Sequence, residues 1–194
     1  MGSEQIRAFI AVELTNEVKS GLKQLQTQLK STQHPFVKWV SPEGIHLTLK
    51  FLGNIPLERV RKINEIIENA IAGTSEFRIA IKDVGGFPNL KQPRVLWVGV
   101  GGDMEKLIKL QHRIDDGLVP LGFTKEKRSF TPHLTLARLR EGVSAQDRQT
   151  FGAKITAMQP KLFYEMVVGS VNLMKSQLLP TGAIYSRLSE IKLS

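Results

Sequence analysis

The residues in this sequence whose types and spacing suit chemistry are two copies of the tetrapeptide His-Leu-Thr-Leu. One copy spans His46 to Leu49 and the other spans His133 to Leu136, in a chain of 194 residues. Side chains alternate between the faces of an extended strand, so the His and Thr of each copy share one face and the leucines share the other. Two such strands lying close together would bring two imidazoles and two hydroxyls to one pocket.

The four polar groups of His46, Thr48, His133 and Thr135 suit phosphodiester chemistry. An imidazole has an ordinary pKa of about 6.5, so near neutral pH one ring of a pair can be protonated while the other is neutral. Threonine hydroxyls beside them can donate hydrogen bonds to a phosphoryl oxygen as charge develops on it. One copy alone would be weak evidence, because Thr is common in strands, but two identical copies favour a paired acid and base.

Basic and aromatic residues near the motifs are the candidates for substrate contacts. Arg128 lies five residues before the second motif in a predicted loop, from which its guanidinium can reach a phosphate. Lys50 has the strand parity of the first motif's His and Thr, so we expect it on the same face, contacting an RNA backbone. Arg138 has the opposite parity and should point away unless the strand bulges there. Phe87 and Trp97 can stack on a base, although large aromatic residues in such segments are more often core.

Other kinds of site are poorly supported by the sequence. Only four histidines are present, and neither motif histidine has a carboxylate at a recognisable metal-ligand spacing, so we expect no metal and no other cofactor. The absence of cysteine excludes disulfides, thiol catalysis and cysteine-bound metals. No Gly-x-Ser-x-Gly elbow occurs, and Gly85-Gly86 reads as turn residues rather than as a phosphate loop.

Composition favours an anionic partner. The 27 Lys and Arg against 18 Asp and Glu give a net charge of +9 and a pI near 9.9. A basic protein is suited to RNA or DNA, although the basic residues are spread along the whole chain. The amino terminus lacks the pattern of a secretory signal and no stretch reaches transmembrane length, so we expect a cytoplasmic protein that does not contact membranes.

Hydrophobic periodicity predicts strands and helices in alternation, with one motif strand in each half of the chain. We predict an α+β fold of antiparallel-rich sheets flanked by helices, as one two-lobed domain over residues 1–194 with the site in the cleft between the lobes. Residues 36–40 and 45–51 are predicted to pair as a hairpin across Ser41 to Gly44. Strands are predicted at 7–14, 77–84, 94–100, 130–139, 162–175 and 183–193, and helices from residues 16, 56, 104 and 144.

These motifs resemble those of a known family, the LigT-like two-histidine phosphoesterases, which are RNA 2′,3′-cyclic phosphodiesterases also called 2′-5′ RNA ligases. The resemblance rests on residues 46–53 and 128–138. Segments 7–11, 93–99 and 176–185 support it, so that it covers nearly the whole chain. Ala183 departs from the proline that relatives often have there.

The resemblance implies a bilobal fold without metal and assigns the roles that spacing alone leaves open. His46 becomes the proton donor to the leaving oxygen and His133 the proton acceptor from water. The implied partner is RNA with a 2′,3′-cyclic phosphate end, tRNA fragments among the candidates, and we expect a monomer. The implied reaction yields a 2′-phosphate, and the same step with a 5′-hydroxyl in place of water would join RNA ends through a 2′-5′ linkage. Two other functions stay open, namely a cyclic phosphodiesterase acting on a small nucleotide and a non-enzymatic RNA-binding module.

Overall fold

Two antiparallel sheets make up the framework of this protein. A computed structural model describes residues 4–31, 34–179 and 182–193, and within these ranges the chain forms nine strands. The first sheet has the strand order β3-β1-β8-β9 and the second has the order β2-β6-β5-β4-β7. The strands are β1 (Gln5–Glu13), β2 (Val37–Trp39), β3 (His46–Pro56), β4 (Phe77–Phe87), β5 (Val95–Gly102), β6 (His133–Leu139), β7 (Phe163–Val168), β8 (Ser170–Leu179) and β9 (Gly182–Lys192).

Four helices cover the sheets, each beginning near its predicted start. They are α1 (Asn16–Lys30), α2 (Val60–Ile71), α3 (Met104–Leu118) and α4 (Ala145–Met158). Thr15 caps α1 by accepting a hydrogen bond from the Val18 N–H at 3.4 Å, and Ser144 caps α4 by accepting one from the Asp147 N–H at 3.0 Å. No helix in the described ranges is both long enough and apolar enough to cross a membrane.

Two of the four helices cross between the sheets and join the two lobes. Although α1 follows a strand of the first sheet, it contacts β7 of the second sheet, and α3 follows a strand of the second sheet but contacts β3 of the first. One hydrophobic cluster runs through both lobes and includes all four motif leucines. The predicted α+β, bilobal fold is therefore confirmed.

The predicted hairpin between residues 36–40 and 45–51 is wrong, because the two strands belong to different sheets. β2 pairs with β6, and the Val40 N–H extends that pairing by donating to the Leu136 carbonyl at 2.9 Å. A 3₁₀ turn over Pro42–Gly44 then redirects the chain into β3, which pairs with β1. The turn residues were recognised correctly, but they lead from one lobe to the other.

The single strand predicted over residues 162–175 is two strands separated by Gly169. β7 ends the second sheet, and β8 inserts beside β1 in the first sheet. Each lobe therefore takes strands from both halves of the sequence.

Gly85 and Gly86, predicted as turn residues, lie within β4. Residues 180 and 181, within the supporting segment 176–185, lie outside the described residues.

Candidate active site

Both copies of the motif line one cleft between the two sheets, with a volume of about 430 Å³. The structure brings His46 and Thr48 from β3 together with His133 and Thr135 from β6, while the leucines between them are buried in the core. The four polar groups that the sequence singled out thus share one cavity.

Each motif histidine is oriented by a backbone carbonyl two residues before it. The Nδ1 of His46 lies 2.8 Å from the Gly44 carbonyl oxygen, and the Nδ1 of His133 lies 2.7 Å from the Thr131 carbonyl oxygen. A carbonyl only accepts hydrogen bonds, so Nδ1 is the nitrogen that carries the proton in both rings. Nε2 is therefore the nitrogen left for proton transfer in each ring, as a base when neutral and as an acid when protonated.

Aromatic rings surround both histidines and fix their planes. Phe9 stacks on the His46 ring with centroids 4.4 Å apart, and Tyr185 meets it edge-on at 4.9 Å. Phe87 meets the His133 ring edge-on at 4.8 Å, and the Trp97 centroid lies 6.4 Å from it. The two aromatic residues considered for base stacking thus form the wall that holds His133.

Burial keeps both rings neutral in the substrate-free protein. It lowers the pKa of His46 to about 4, against a smaller opposing effect of the hydrogen bond to Gly44. Burial likewise lowers the pKa of His133 below its ordinary value, opposed by the hydrogen bond to Thr131. An anion bound beside His46 would raise the pKa of this ring again, since an opposite charge nearby favours the imidazolium form.

A β-bulge follows the Thr of each motif and reverses the alternation of side chains. In β3, Thr48 pairs with Ala11 and Lys50 pairs with Ile10, so Leu49 is the extra residue. In β6 the register shifts in the same way, and Leu136 is the extra residue. Beyond the bulges, Phe51 and Arg138 turn toward the cleft and line it at equivalent positions. Arg138 was expected to point away unless its strand bulged, and the bulge at Leu136 turns it toward the site.

Two buried glutamines donate hydrogen bonds to the carbonyls of the bulge residues, each from the helix of the opposite half. Gln26 of α1 donates through Nε2 to the Leu136 carbonyl at 3.0 Å. Gln111 of α3 donates through Nε2 to the Leu49 carbonyl at 3.4 Å. The extra residue of a bulge disrupts the strand ladder, so these amides brace both bulges from the helices. The Leu136 carbonyl accepts the Gln26 amide in addition to the Val40 N–H. Sequence reasoning missed both residues, although a polar residue on the apolar face of a helix is a visible signal.

Lys50 does not reach the cleft, and the prediction that it shares the face of His46 is wrong. The bulge turns it to the opposite side, where its ammonium pairs with the Asp115 carboxylate of α3 and donates to the Thr124 carbonyl at 2.7 Å. Only 9% of its side chain is exposed. Lys50 therefore ties β3 to the segment that leads into the second motif.

Arg128 lies on the exposed loop over residues 124–131, outside the histidine cleft. Its backbone N–H donates to Glu126 Oε1 at 3.3 Å, and its side chain lines a separate shallow hollow on that loop. The structure therefore does not bring Arg128 to the two histidines.

Arg7 of β1 and Arg138 of β6 supply the positive charge in the cleft instead. No acidic residue lies among the described residues that line it. The same part of the chain contains no group of three or more His, Cys, Asp or Glu side chains placed to hold a metal ion. Two guanidinium groups, two hydroxyls and two imidazoles suit the binding of a phosphate group. Phe51, which is 65% exposed, adds an aromatic face that is open to solvent.

Comparison with known proteins places the chain among phosphoesterases. The sequence profile of the family described as LigT like Phosphoesterase matches residues 12–97 and again 100–185. An RNA 2′,3′-cyclic phosphodiesterase of Methanothermobacter thermautotrophicus is 34% identical, over 97% of this chain and 100% of that protein. One of Aquifex aeolicus is 32% identical, over 97% of each chain.

Solved structures share the fold. A crystal structure of a Thermus thermophilus protein matches with a TM-score of 0.78 and 27% identity, over 97% of this chain and 98% of the other. E. coli LigT complexed with 3′-AMP matches in fold with a TM-score of 0.75 and 22% identity, over 98% and 99% of the two chains. Each profile match contains one His-Leu-Thr-Leu strand. This chain belongs to the LigT-like phosphoesterase family.

Proposed function

We propose that this protein hydrolyses the 2′,3′-cyclic phosphate ends of RNA to 2′-phosphates, as one two-lobed domain over residues 1–194 and without a metal. The observation that carries the proposal is the matched pair of imidazoles on one cleft, each with its Nδ1 bound to a backbone carbonyl. Relatives of nearly equal length are named RNA 2′,3′-cyclic phosphodiesterase, which supports this substrate.

In the proposed reaction the two histidines act on opposite sides of the phosphorus. The Nε2 of His133 takes a proton from water as the water oxygen attacks phosphorus. The bond from phosphorus to the 3′-oxygen then breaks, and the protonated Nε2 of His46 gives its proton to that oxygen. The result is a 3′-hydroxyl and a 2′-phosphate.

The remaining groups of the cleft stabilise the charge that develops on the phosphoryl oxygens. Thr48 and Thr135 donate their hydroxyl protons to these oxygens, and the guanidinium groups of Arg7 and Arg138 neutralise them. The anionic phosphate also raises the pKa of His46, so the substrate itself makes the acid available. Ligation would follow the same path in the same direction, with a 5′-hydroxyl attacking phosphorus in the place of water, the 3′-oxygen leaving and a 2′-5′ linkage forming.

The monomeric state and cytoplasmic location stay predictions. Residues of this single chain line the cleft, in keeping with a monomer. An RNA substrate fits a cytoplasmic location.

The paired roles are tested by single-turnover cleavage of an RNA ending in a 2′,3′-cyclic phosphate. His46→Ala and His133→Ala should each lower the rate by about 10² to 10⁴, the usual contribution of a positioned acid or base. The double variant should be little slower than the slower single variant, because the two groups act as a unit. His112→Ala, at an exposed position of α3, is the matched control.

Two results would contradict the proposal. A folded variant of either motif histidine that kept a near-normal rate would show that this ring takes no part in proton transfer. Failure of the wild-type protein to cleave any cyclic phosphate would favour the RNA-binding module instead.

A further inference from the structure

A second hollow, of about 670 Å³, adjoins the catalytic cleft along one side. The two cavities share five lining residues, namely Val40, Gly44, Arg138, Leu178 and Tyr185. We call this hollow the side groove; its own lining includes Lys30, Lys38, Trp39 and Ile184. Because the two cavities adjoin at these shared residues, a chain molecule whose end occupies the cleft can extend into the side groove.

The side groove has the chemistry of a single-stranded nucleic-acid site. Lys30 and Lys38 are exposed cations at its wall, Arg138 stands where it meets the cleft, and the described residues that line it include no carboxylate. The apolar surface comes from Ile184, which is 56% exposed, and from Trp39, over whose ring the Lys30 ammonium lies 5.6 Å from the centroid. Cations that neutralise phosphates beside apolar faces on which bases stack are the usual means of binding a single strand.

The position of the side groove relative to the two histidines indicates which part of the substrate it takes. Gly44 and Tyr185 line it, and these residues hold His46 through a hydrogen bond and a ring contact. In an in-line displacement the leaving oxygen and the attacking oxygen lie on opposite sides of phosphorus. His46 protonates the leaving 3′-oxygen, so the terminal ribose lies on the His46 side of the cleft. The strand that continues from this ribose through its 5′-oxygen therefore leaves on the same side.

We propose that the side groove binds the nucleotides that precede the cyclic phosphate end of the RNA strand. The proposal rests on the proposed function and on the donor role of His46. Lys30 and Lys38 contact the backbone phosphates, and the apolar wall holds a base. The attacking water, or a 5′-hydroxyl that replaces it in ligation, enters from the His133 side.

The test compares two substrates, a nucleoside 2′,3′-cyclic phosphate and a tetranucleotide ending in the same group. The measured quantity is the ratio of kcat/KM for the tetranucleotide to kcat/KM for the mononucleotide. In the wild-type protein this ratio should be at least about ten, which is equivalent to about 1.4 kcal/mol of added binding. The double variant Lys30→Glu with Lys38→Glu should lower the ratio by a similar factor.

The matched control is Lys23→Glu with Lys62→Glu, which changes the net charge equally at exposed positions outside the side groove. It should keep the wild-type ratio, because a general loss of positive charge is the same in both double variants. The salt dependence of tetranucleotide binding should also become shallower in the groove variant, by about 0.7 in the log-log slope for each phosphate that is no longer neutralised.

The outcomes separate the two proposals. Equal ratios in the groove variant and the control, or no preference for the tetranucleotide in the wild-type protein, would overturn the side groove while leaving the phosphodiesterase in place. Cleavage of neither substrate by the wild-type protein would overturn the proposed function and the side groove with it.

Discussion

Burial of His46 should make the stability of the folded protein depend on pH in a defined window. The pKa of this ring is lowered from 6.5 to about 4, mainly by burial. In the unfolded chain the ring takes up its proton near pH 6.5, whereas in the folded protein it does so only near pH 4. The unfolded chain binds more protons between these values, so the free energy of unfolding falls as the pH falls from 6.5 to 4. Above pH 6.5 the stabilising contribution is fully present.

The size of the effect follows from the separation of the two pKa values. Each pH unit of separation is worth about 1.4 kcal/mol, so His46 alone should account for a loss of about 3 kcal/mol by pH 4. His46→Asn removes the titration while keeping an N–H that can donate to the Gly44 carbonyl. The variant should therefore lose about 3 kcal/mol less stability than the wild-type protein between pH 7 and pH 4.

Urea denaturation followed by circular dichroism at pH 7, 6, 5 and 4 measures this difference. His112→Asn is the control, because this ring is exposed on α3 and loses little hydration on folding. A wild-type pH dependence that matched that of His46→Asn would refute the reasoning, since it would show that His46 takes up its proton equally in the folded and unfolded chains.

Three further predictions concern the supports of the cleft and its chemistry. Lys50→Met leaves the buried Asp115 carboxylate without its cation and should lower the free energy of unfolding in urea by about 3–5 kcal/mol, of which adding Asp115→Leu should recover part; equal losses in the single and double variants would contradict the buried pair. Gln26→Met should loosen the β6 bulge that turns Arg138 into the cleft and lower kcat/KM about tenfold, whereas Gln24→Met at an exposed position of the same helix should not. Hydrolysis should survive EDTA, because imidazoles and hydroxyls supply the acid, base and oxyanion contacts; complete loss restored by a divalent ion would contradict a metal-free reaction.

Local patterns in the sequence were sufficient for the helices and for both motif strands. The apolar spacing from Met104 to Leu118 predicts α3 with the bounds that the structure has. The alternation in each His-Leu-Thr-Leu copy predicts that His and Thr share a face, and both copies line one cleft. These features depend on residues a few positions apart, which a single sequence displays directly.

Features that depend on distant partners could not be predicted. The bulge at Leu136 is supported by Gln26, 110 residues earlier in the chain. The alternation of side chains therefore gives the wrong face for Lys50, which lies one position past the equivalent bulge at Leu49. For the same reason it could not decide which way Arg138 points. The sheet to which β2 belongs is set by its pairing with β6, which begins only at His133, so the turn before β3 favours a hairpin that does not form.

Because each sheet takes strands from both halves of the chain, neither sheet can be completed early in synthesis. During synthesis on the ribosome, β1 emerges among the first residues, but its partner β8 begins only at Ser170. One edge of β1 therefore has no partner until almost the whole chain has been translated, and unpaired edges of this kind favour aggregation. Neither half of a divided gene would encode a complete lobe, because the first half lacks β8 and the second lacks β2. We therefore expect that neither half of the chain can be expressed as a stable fragment.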